Sequence, residues 1–338
     1  MDITERADGS FSYRDGDGNE GEVGSTHTEI QKAIEAAMAT TLLSMRSGMI
    51  NMAGRLGNIH EGASDGLWGR VYTGKNSYNK NGVEVKNQFH GIQIGADRLT
   101  DDGWHIGMAM EYNRGNSSYT YGGEGEPKYF IGGFYGTKMS ADGEYFDVVA
   151  RFGKAYSYFT VYNQDKKHVH GSSSVNSYGF SVEYGKRVDR NNGSYIEPQL
   201  QLSITRIDDD NIRANTSFKN FEILRLIQRG LSSCVGRMGI MAGRKTEKGE
   251  FYVKADVLRE FSGESKTACN SSDAKAIDVT ADVYRAKNLD FNGTWAELSV
   301  GGTWKMNADS YLYADFSKGF GGEYKKDWML NAGACFAF

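Results

Sequence analysis

The chain has 338 residues and a net charge of −4, which allows one large or two ordinary domains and argues against a nucleic-acid partner. Mean hydropathy is −0.55, and no apolar run approaches the roughly 18 residues of a transmembrane helix. A membrane-spanning barrel is still compatible, because its lipid-facing and lumen-facing residues alternate and average to a hydrophilic sequence. The 43 Gly, 17 Phe, 20 Tyr and two Pro are typical of many long strands joined by glycine turns.

Residues 1–26 are charged and rich in Gly, a composition that predicts a disordered linker. The start of the chain has neither a basic n-region nor an apolar h-region, so no signal peptide is predicted. If the protein acts outside the cytoplasm, we therefore expect this chain to be a fragment of a longer precursor.

Residues 27–58 are the one stretch whose apolar positions recur at helical spacing. Thr26 and Glu29 have the spacing of a capping box, which marks the start of the helix. The candidate helix residues are seven apolar side chains of one stripe and one Asn, namely Ile30, Ile34, Met38, Leu42, Met45, Met49, Met52 and Asn51. On its own, such a helix is usually packed on a soluble core. The sequence that follows changes this interpretation.

From Gly66 onward the apolar period changes from 3.6 residues to 2. Ile106, Met108 and Met110, for example, alternate with Gly107 and Ala109. Twelve such strands are predicted, at residues 66–74, 87–99, 103–115, 127–139, 144–160, 173–189, 194–207, 231–245, 250–262, 294–306, 310–318 and 328–338. Many exceed about ten residues, whereas strands in soluble proteins average about five or six.

The connections between these strands alternate between short and long. The short ones are 100–103, 140–143, 190–193, 246–249 and 307–309, and the long ones are 75–86, 116–126, 161–172, 208–230, 263–293 and 319–327. In an up-and-down meander every second connection lies at the same end, so one end has tight turns and the other has long loops. Bacterial outer-membrane barrels show this asymmetry and an even strand number. The conformations of 208–230 and 263–293 stay open.

The last predicted strand has one apolar face that ends on an aromatic residue. Trp328, Leu330, Phe336 and Phe338 lie on this face. A soluble protein seldom leaves an aromatic residue at a fraying terminus, whereas lipid accommodates it. These four residues are the candidate signal for barrel assembly, and packing into lipid alone is the alternative.

Several stretches in this order resemble the autotransporter β-domain, the translocator of type V secretion. They are GLWGRV at 66–71, GIQIGADR at 91–98, YIEPQL at 195–200, VGRMG at 235–239, FYVKA at 251–255 and WAELSVGG at 295–302, followed by the last strand to Phe338. The resemblance covers about residues 28–338, which is nearly everything beyond the acidic leader.

The resemblance implies an all-β fold, a 12-stranded antiparallel transmembrane β-barrel with an N-terminal α-helix threaded through the lumen. Residues 1–26 would be a passenger remnant or linker, 27–58 the pore helix and 59–338 the barrel. Twelve strands about 4.8 Å apart and tilted near 40° close into a cylinder of roughly 24 Å diameter. Inward side chains then leave a channel about one helix wide, so the geometry permits the threaded helix.

The resemblance also implies a function. The chain is expected to be a monomer in the bacterial outer membrane that enables export of its own N-terminal passenger to the cell surface. Its long loops would be extracellular and its C-terminus periplasmic. The expected partners are outer-membrane lipid, the passenger and the barrel-assembly machinery. No enzyme activity, cofactor, metal or catalytic residue is expected.

Five charged residues at alternating strand positions are the candidate lumen residues, namely Arg70, Glu111, Glu183, Glu197 and Glu297. We expect them to form hydrogen bonds with the helix or with one another. Some family members cut the passenger off inside the barrel, between adjacent Asn residues of the helix. This helix contains no Asn-Asn pair, so we predict a passenger that stays uncleaved or is cleaved by another protein.

Two alternatives stay open. A general outer-membrane porin would lack a helix in its pore and would conduct readily. An outer-membrane enzyme barrel would need a Ser, His or Asp set at its rim, and no arrangement in the sequence singles itself out. The sequence identifies neither the passenger nor the state of the three cysteines, Cys234, Cys269 and Cys335.

Overall fold

A computed structural model describes residues 2–5, 11–14, 20–23, 35–44, 46, 65–80, 82–119, 122–162, 166–190, 192–218, 221–265, 267–271, 289–307 and 309–337. In chain order its strands are β1 (Asp2–Glu5), β2 (Phe11–Arg14), β3 (Glu20–Val23), β4 (Gly66–Lys80), β5 (Val83–Leu99), β6 (Trp104–Tyr119), β7 (Glu124–Met139), β8 (Glu144–Tyr162), β9 (His168–Lys186), β10 (Val188–Asp189), β11 (Ser194–Ile207), β12 (Asp210–Phe218), β13 (Phe221–Gln228), β14 (Leu231–Thr246), β15 (Gly249–Ser262), β16 (Glu264–Ser265), β17 (Thr267–Ser271), β18 (Leu289–Asp290), β19 (Gly293–Lys305), β20 (Ser310–Phe320) and β21 (Tyr324–Ala337).

Twelve of these strands form a closed antiparallel barrel, which confirms the predicted fold class. They are β4 to β9, β11, β14, β15 and β19 to β21. The barrel closes where the last strand runs against the first, with Phe336 opposite Leu67 and Tyr324 opposite Tyr78. β9 and β11 are paired from Gln199 opposite Gly185 onward, so the ring is continuous on that side as well.

The alternation of side chains along each strand decides which face meets lipid. Met110 and Phe134 point outward, and 69% and 56% of their surfaces are exposed. Gln93 and Asn113 point into the barrel and are only 1% exposed. A water-soluble protein would bury the first pair and expose the second. The outer surface is therefore suited to hydrocarbon, in which the closed ring leaves no strand edge unpaired.

At the tight-turn end, eleven of the twelve barrel strands end within one residue of the sequence prediction, and β9 ends three residues early, at Lys186. At the opposite end, β11, β14, β15 and β19 match within one residue, but the other eight strands are two to six residues longer than predicted. The prediction of a long loop at 75–86 is wrong, because β4 continues to Lys80 and β5 begins at Val83. Gly82 has a φ of +78°, which glycine adopts without strain in a two-residue hairpin turn. The connections at 116–126 and 319–327 are likewise shortened by longer strands to 120–123 and 321–323.

Two connections at this same end carry structure of their own. Residues 210–228, whose conformation the sequence left open, form the β12–β13 hairpin. β12 also pairs with β9, with Ala214 opposite Gly171, so the hairpin extends the barrel wall beyond Ile207. In the second connection β17 adds to β13, and β16 pairs with β18.

The N-terminal segment contains both strand and helix. Composition predicts a disordered linker at residues 1–26, but the structure has a three-stranded antiparallel sheet of β1, β2 and β3 there. Each strand is a run of four residues, and the Gly and Asp residues between the runs favour hairpin turns. Residues 35–44 and 46 are helical and fall within the predicted helix 27–58. The rest of that predicted helix lies outside the described residues. In the described part of the chain, no helix is long and apolar enough to cross a membrane.

Candidate functional site: the barrel lumen

The helical residues 35–44 and 46 lie inside the barrel, and every one of them is buried. Two of their backbone carbonyls accept hydrogen bonds from the wall. Asn76 Nδ2 on β4 donates to the carbonyl of Leu43 at 2.8 Å, and the Tyr129 hydroxyl on β7 donates to the carbonyl of Thr41 at 3.1 Å. The wall thus holds the helix by its backbone from two different strands.

Apolar packing surrounds the helix on more than one face. A single buried cluster joins helix residues Ala36, Ala37, Met38, Ala39, Leu42 and Leu43 to wall residues that include Tyr78, Val85, Phe159, Val169, Ile212, Leu258 and Trp295. The predicted stripe contributes Met38 and Leu42, but residues between the stripe positions are buried as well. A helix that is buried all round is enclosed by protein, unlike a surface helix with one apolar face.

Arg46 forms a buried ion pair between the helix and the wall. Its guanidinium donates to the carboxylate of Glu260 on β15, and both side chains are almost fully buried. Glu260 is also held by the wall itself, since it accepts hydrogen bonds from Ser233 Oγ at 2.6 Å and from the backbone N–H of Cys234 at 2.7 Å. The carboxylate therefore has a fixed position that does not depend on the helix.

Three aromatic rings surround the Arg46 guanidinium. Its central carbon lies 4.6 Å from the ring centre of Tyr324 and 5.5 Å from those of Phe291 and Trp295. Cation–π contacts of this kind are strongest where water is excluded. Arg46 is thus held by an ion pair on one side and by ring faces on the others.

The connection that contains β16 and β18 contacts the helix end of the lumen. Phe291 belongs to the buried cluster, and the Tyr78 hydroxyl donates to the backbone carbonyl of Asp290 at 3.0 Å. Lys80 Nζ lies 2.8 Å from the Asp290 carboxylate. Partial burial would raise the pKa of Asp290, but the bonds from Lys80 and from the backbone N–H of Asn292 outweigh it and hold the pKa below its usual value. Asp290 therefore stays ionised and joined to β4.

A polar cavity of about 130 Å³ lies beyond Arg46 in the lumen. Its lining carries charges of both signs, including Arg46, Asp147, Arg151, Glu183, Arg237, Lys254, Asp256, Glu297, Asp315 and Lys326. A cavity of this size and polarity can hold several water molecules. The lumen is therefore divided into an apolar part around the helix and a charged part beyond it.

Two of the predicted lumen residues, Arg70 and Glu111, meet in one network on β4, β5 and β6. Arg70 Nε donates to the side-chain oxygen of Gln93 at 2.6 Å. The amide of Gln93 and the hydroxyl of Tyr72 both donate to Glu111, and Asn113 donates to the same hydroxyl at 2.8 Å. All five side chains are buried, and together they satisfy the two charged groups with neutral partners.

Glu183 belongs to a second network, on β8, β9, β11, β14 and β15. Arg237 donates to Glu183 at 2.7 Å and to Asp256 at 3.2 Å. Gln201 donates to Glu183 at 3.0 Å, and the Tyr145 hydroxyl donates to it at 2.9 Å. The guanidinium fork of Arg237 thereby joins two carboxylates of the opposite charge, which is the geometry that favours Arg over Lys.

The remaining two predicted residues also have wall partners. Arg187 pairs with Glu197 at 2.7 Å and with Glu250 at 3.0 Å. Lys326 donates to Glu297 at 2.6 Å, and the indole N–H of Trp295 donates to it at 3.1 Å. Each of the five predicted lumen residues thus forms a hydrogen bond or ion pair with another residue of the wall.

The other predicted site residues are placed as follows. Leu330 and Phe336 face outward and are about half exposed, at 47% and 49%. Trp328 is half-buried beside a bulge in the pairing of β21 with β4, and Phe338 lies outside the described residues. Of the candidate helix residues, only Met38 and Leu42 are described; Ile30, Ile34, Met45, Met49, Asn51 and Met52 lie outside the described residues.

Sequence reasoning missed Arg46, Glu260, Arg187 and Arg237. Arg46 lies off the apolar stripe of the predicted helix, although it is buried. Glu260 and Arg237 occupy inward positions of predicted strands, so alternation could have identified both. Which acid meets which base depends on the register between strands, and the sequence does not state the register.

The described residues hold no group of three or more His, Cys, Asp or Glu side chains placed to bind a metal ion. His170 Nδ1 lies 2.9 Å from Thr160 Oγ1 at an exposed position of β9. Cys335 is buried in the wall and Cys234 is half-buried, and neither forms a disulfide bond within the described residues.

Comparison with known proteins gives a consistent answer. The family model described as "Autotransporter beta-domain" matches residues 67–317. The Pertactin autotransporter of Bordetella parapertussis is 28% identical over 306 residues, which cover 88% of this chain and 31% of that protein. The chain therefore spans about a third of the length of the curated relatives that it matches.

Two solved structures share the fold. The β domain of the Bordetella autotransporter BrkA has a TM-score of 0.62 at 20% identity and covers 81% of this chain and 100% of its own. The translocator domain of the autotransporter NalP from Neisseria meningitidis has a TM-score of 0.69 at 14% identity and covers 93% of this chain and 100% of its own. At these identities the likeness concerns the fold alone.

Proposed function

The chain belongs to the autotransporter β-domain family, the translocators and outer-membrane anchors of type V secretion, and we propose that its lumen holds the segment that leads to a passenger. Helical residues 35–44 and 46 would be the plug. The passenger would be the N-terminal region of the same protein, and residues 1–26 would be its remnant or the linker that leads to it. In this proposal the barrel first enables export of the passenger and afterwards anchors the protein in the outer membrane.

The observation that carries the proposal is the enclosure of the helix. Its residues are buried among wall side chains, its carbonyls accept hydrogen bonds from Asn76 and Tyr129, and Arg46 pairs with Glu260. A general porin, the second candidate from the sequence, needs an open water-filled lumen. The described helix occupies that space, which favours the plugged translocator.

We further propose that the long connections face the cell exterior and that β21 ends at the periplasm. The tight turns cluster at one end of the barrel and the extended β12–β13 and β16–β18 connections at the other, the asymmetry that outer-membrane barrels show. β4 begins at the tight-turn end, where Asp65 accepts a hydrogen bond from the backbone N–H of Leu99 at 2.9 Å. The helix packs nearer the long connections, so the chain that precedes it would lead to the surface.

The outward apolar face of β21 supports a role in assembly. Leu330 and Phe336 present about half of their surfaces to lipid beside the closing seam with β4. A barrel-assembly machine that engages the last strand would meet these side chains first. We therefore keep Trp328, Leu330, Phe336 and Phe338 as the proposed assembly signal, and we propose that the barrel is monomeric and not itself an enzyme.

Single-channel conductance of the refolded full chain, with and without residues 1–58, tests the plug. We expect a small conductance for the full chain and a large increase on deletion, because the lumen would then be open to water. A high conductance in both forms would favour the porin. A low conductance in both would place the obstruction elsewhere, for example in the β16–β18 connection, and would also contradict the proposal.

A further inference from the structure

Three cations lie together on the lipid-facing surface of β6, β7 and β8. Going toward the long connections, the continuous run of outward apolar side chains reaches Tyr112 on β6, Phe130 on β7 and Phe152 on β8, and on β8 two outward tyrosines follow at 156 and 158. The next outward position on each strand is Arg114, Lys128 or Lys154. These residues therefore lie on one edge of the apolar band, where hydrocarbon gives way to lipid head groups.

The strand register brings the three charges close together. Arg114 is directly opposite Lys128, and Lys154 is opposite Phe130, one outward position from Lys128. Directly opposite side chains have Cβ atoms about 5 Å apart, and like charges in that arrangement destabilise a sheet. Negative charge close to the three cations would offset this repulsion.

The protein does not supply that negative charge among the described residues, since no carboxylate oxygen lies within 4.0 Å of the charged nitrogens of Arg114, Lys128 or Lys154. Glu126 lies one outward position beyond Lys128, outside this distance. Two of the three cations instead lie over tyrosine rings. Lys154 Nζ lies 5.4 Å from the ring centre of Tyr156, and Lys128 Nζ lies 5.8 Å from that of Tyr158.

The opposite edge of the apolar band differs in this respect. Lys186 lies 3.0 Å from Glu144 and 3.5 Å from Asp142, and Arg98 lies 3.9 Å from Asp65. These two cations at the tight-turn end thus have carboxylate partners from the protein, whereas Lys138 on the same edge lies over the Trp104 ring. The uncompensated cluster at the long-connection end is a local feature, and it does not follow from a generally basic surface, because the chain has a net charge of −4.

We propose that Arg114, Lys128 and Lys154 bind the phosphate groups of a phosphorylated glycolipid in the membrane leaflet next to the long connections. Clusters of Lys and Arg at a membrane surface recognise anionic lipid head groups in this way. Tyr156 and Tyr158 would lie at the same interface, where aromatic rings with an apolar body and a polar tip are enriched. The choice of a glycolipid rests on the orientation proposed above, which puts this edge in the outer leaflet.

The test compares two matched triple variants of the full chain. One carries Arg114→Ser, Lys128→Ser and Lys154→Ser. The control carries Arg98→Ser, Lys138→Ser and Lys186→Ser, which removes the same charge from the other edge of the apolar band. Heat-modifiable migration on gels checks that both barrels fold. Retention of bisphosphorylated lipid A by the purified barrel is then measured by native mass spectrometry, with dephosphorylated lipid A, phosphatidylglycerol and inorganic phosphate as separate probes.

We expect the first triple variant to bind bisphosphorylated lipid A roughly a hundredfold more weakly, and the control to bind it as the unmodified chain does. Dephosphorylated lipid A should bind weakly to all three proteins. The proposal is wrong if both triple variants lose binding equally, if neither does, or if dephosphorylated lipid A is retained as well as the phosphorylated form. Displacement of the lipid by millimolar inorganic phosphate would show that the site binds phosphate alone, and this would also contradict the proposal.

If the first triple variant lost binding of phosphatidylglycerol rather than of bisphosphorylated lipid A, the cluster would lie in the other leaflet. That result would contradict both this proposal and the proposed orientation. The plug is tested separately, because the three cations lie outside the lumen. A closed channel in both triple variants would leave the plugged translocator intact whatever the lipid result. Binding of a peptide of residues 15–22, the chain's own acidic segment, in place of lipid would assign the cluster to that segment and refute the lipid site.

Discussion

Replacing Arg46 with Met should release the helix from the barrel lumen. Arg46 pairs with Glu260 and lies among the rings of Phe291, Trp295 and Tyr324. Met keeps the unbranched apolar stem and can still contact the rings, so the substitution removes the charge with little change in packing volume. The rest of the wall should keep its structure.

The size of the effect follows from what each partner retains. Removing one member of a buried ion pair costs roughly 3–5 kcal/mol, mainly because the other charge is left uncompensated. Glu260 keeps hydrogen bonds from Ser233, Cys234 and Ser262, the last at 3.3 Å, so the lower end of this range applies. A loss of about 3 kcal/mol shifts the equilibrium between bound and released helix roughly a hundredfold toward release.

Planar-bilayer recordings measure this shift as the fraction of time that the channel spends open. We expect the open fraction of Arg46→Met to rise roughly a hundredfold above that of the unmodified chain, toward the limit set by deletion of residues 1–58. Lys186→Met is the matched control, because it breaks a half-exposed ion pair with Glu144 outside the lumen. The control should leave the open fraction unchanged.

An unchanged open fraction in Arg46→Met, alongside a large increase on deletion, would refute the reasoning about the ion pair. The helix would then be held by the apolar cluster and by the bonds from Asn76 and Tyr129. An equal increase in the control would show that the recordings report barrel stability rather than release of the helix.

Three further outcomes are expected. Deletion of Phe338 should lower the yield of folded barrel in outer-membrane fractions, and an unchanged yield would remove it from the assembly signal. Mass spectrometry of purified full chain should find no discrete fragment cut at Asn51, because the helix lacks an Asn-Asn pair. Gly95→Ala should lower barrel stability by about 1–3 kcal/mol, because the new Cβ would lie 2.5 Å from the Trp68 ring. Gly69→Ala is the control and should leave stability unchanged, since its new Cβ has its nearest contact at 3.6 Å. Equal melting temperatures of the two variants would contradict this prediction.

The barrel itself could be predicted because its signal is local. Alternation such as that of Ile92 and Ile94 with Gln93 assigns each strand two faces without knowledge of its neighbours, and the tight turns fix one end of every strand. The other strand ends were misplaced where polar side chains continue the strand beyond the apolar band. The Asn81-Gly82 pair was a readable hairpin signal within the supposed loop.

The contacts of the lumen could be predicted only in part. Inward positions such as Arg70 and Glu183 follow from alternation, and the structure places both inside. Their partners do not follow, because Glu183 and Arg237 lie on strands that do not pair with each other and meet across the curved wall. Arg46 was missed because an analysis of helical periodicity looks for one buried face, whereas every face of a helix inside a barrel is buried.

The pairing of the wall charges with one another helps to explain how the same lumen can let a passenger through and then be closed by the helix. Glu111, Glu183, Glu197 and Glu297 each have partners on the wall, so departure of the helix leaves these carboxylates satisfied. Even Glu260 keeps donors from β14 and β15. A wall that depended on the helix would carry several uncompensated buried charges whenever another segment occupied the lumen, at a cost of several kcal/mol for each. Because the wall compensates its own charges, it tolerates a change of contents, and the helix can be held by a small number of contacts that are specific to its final position.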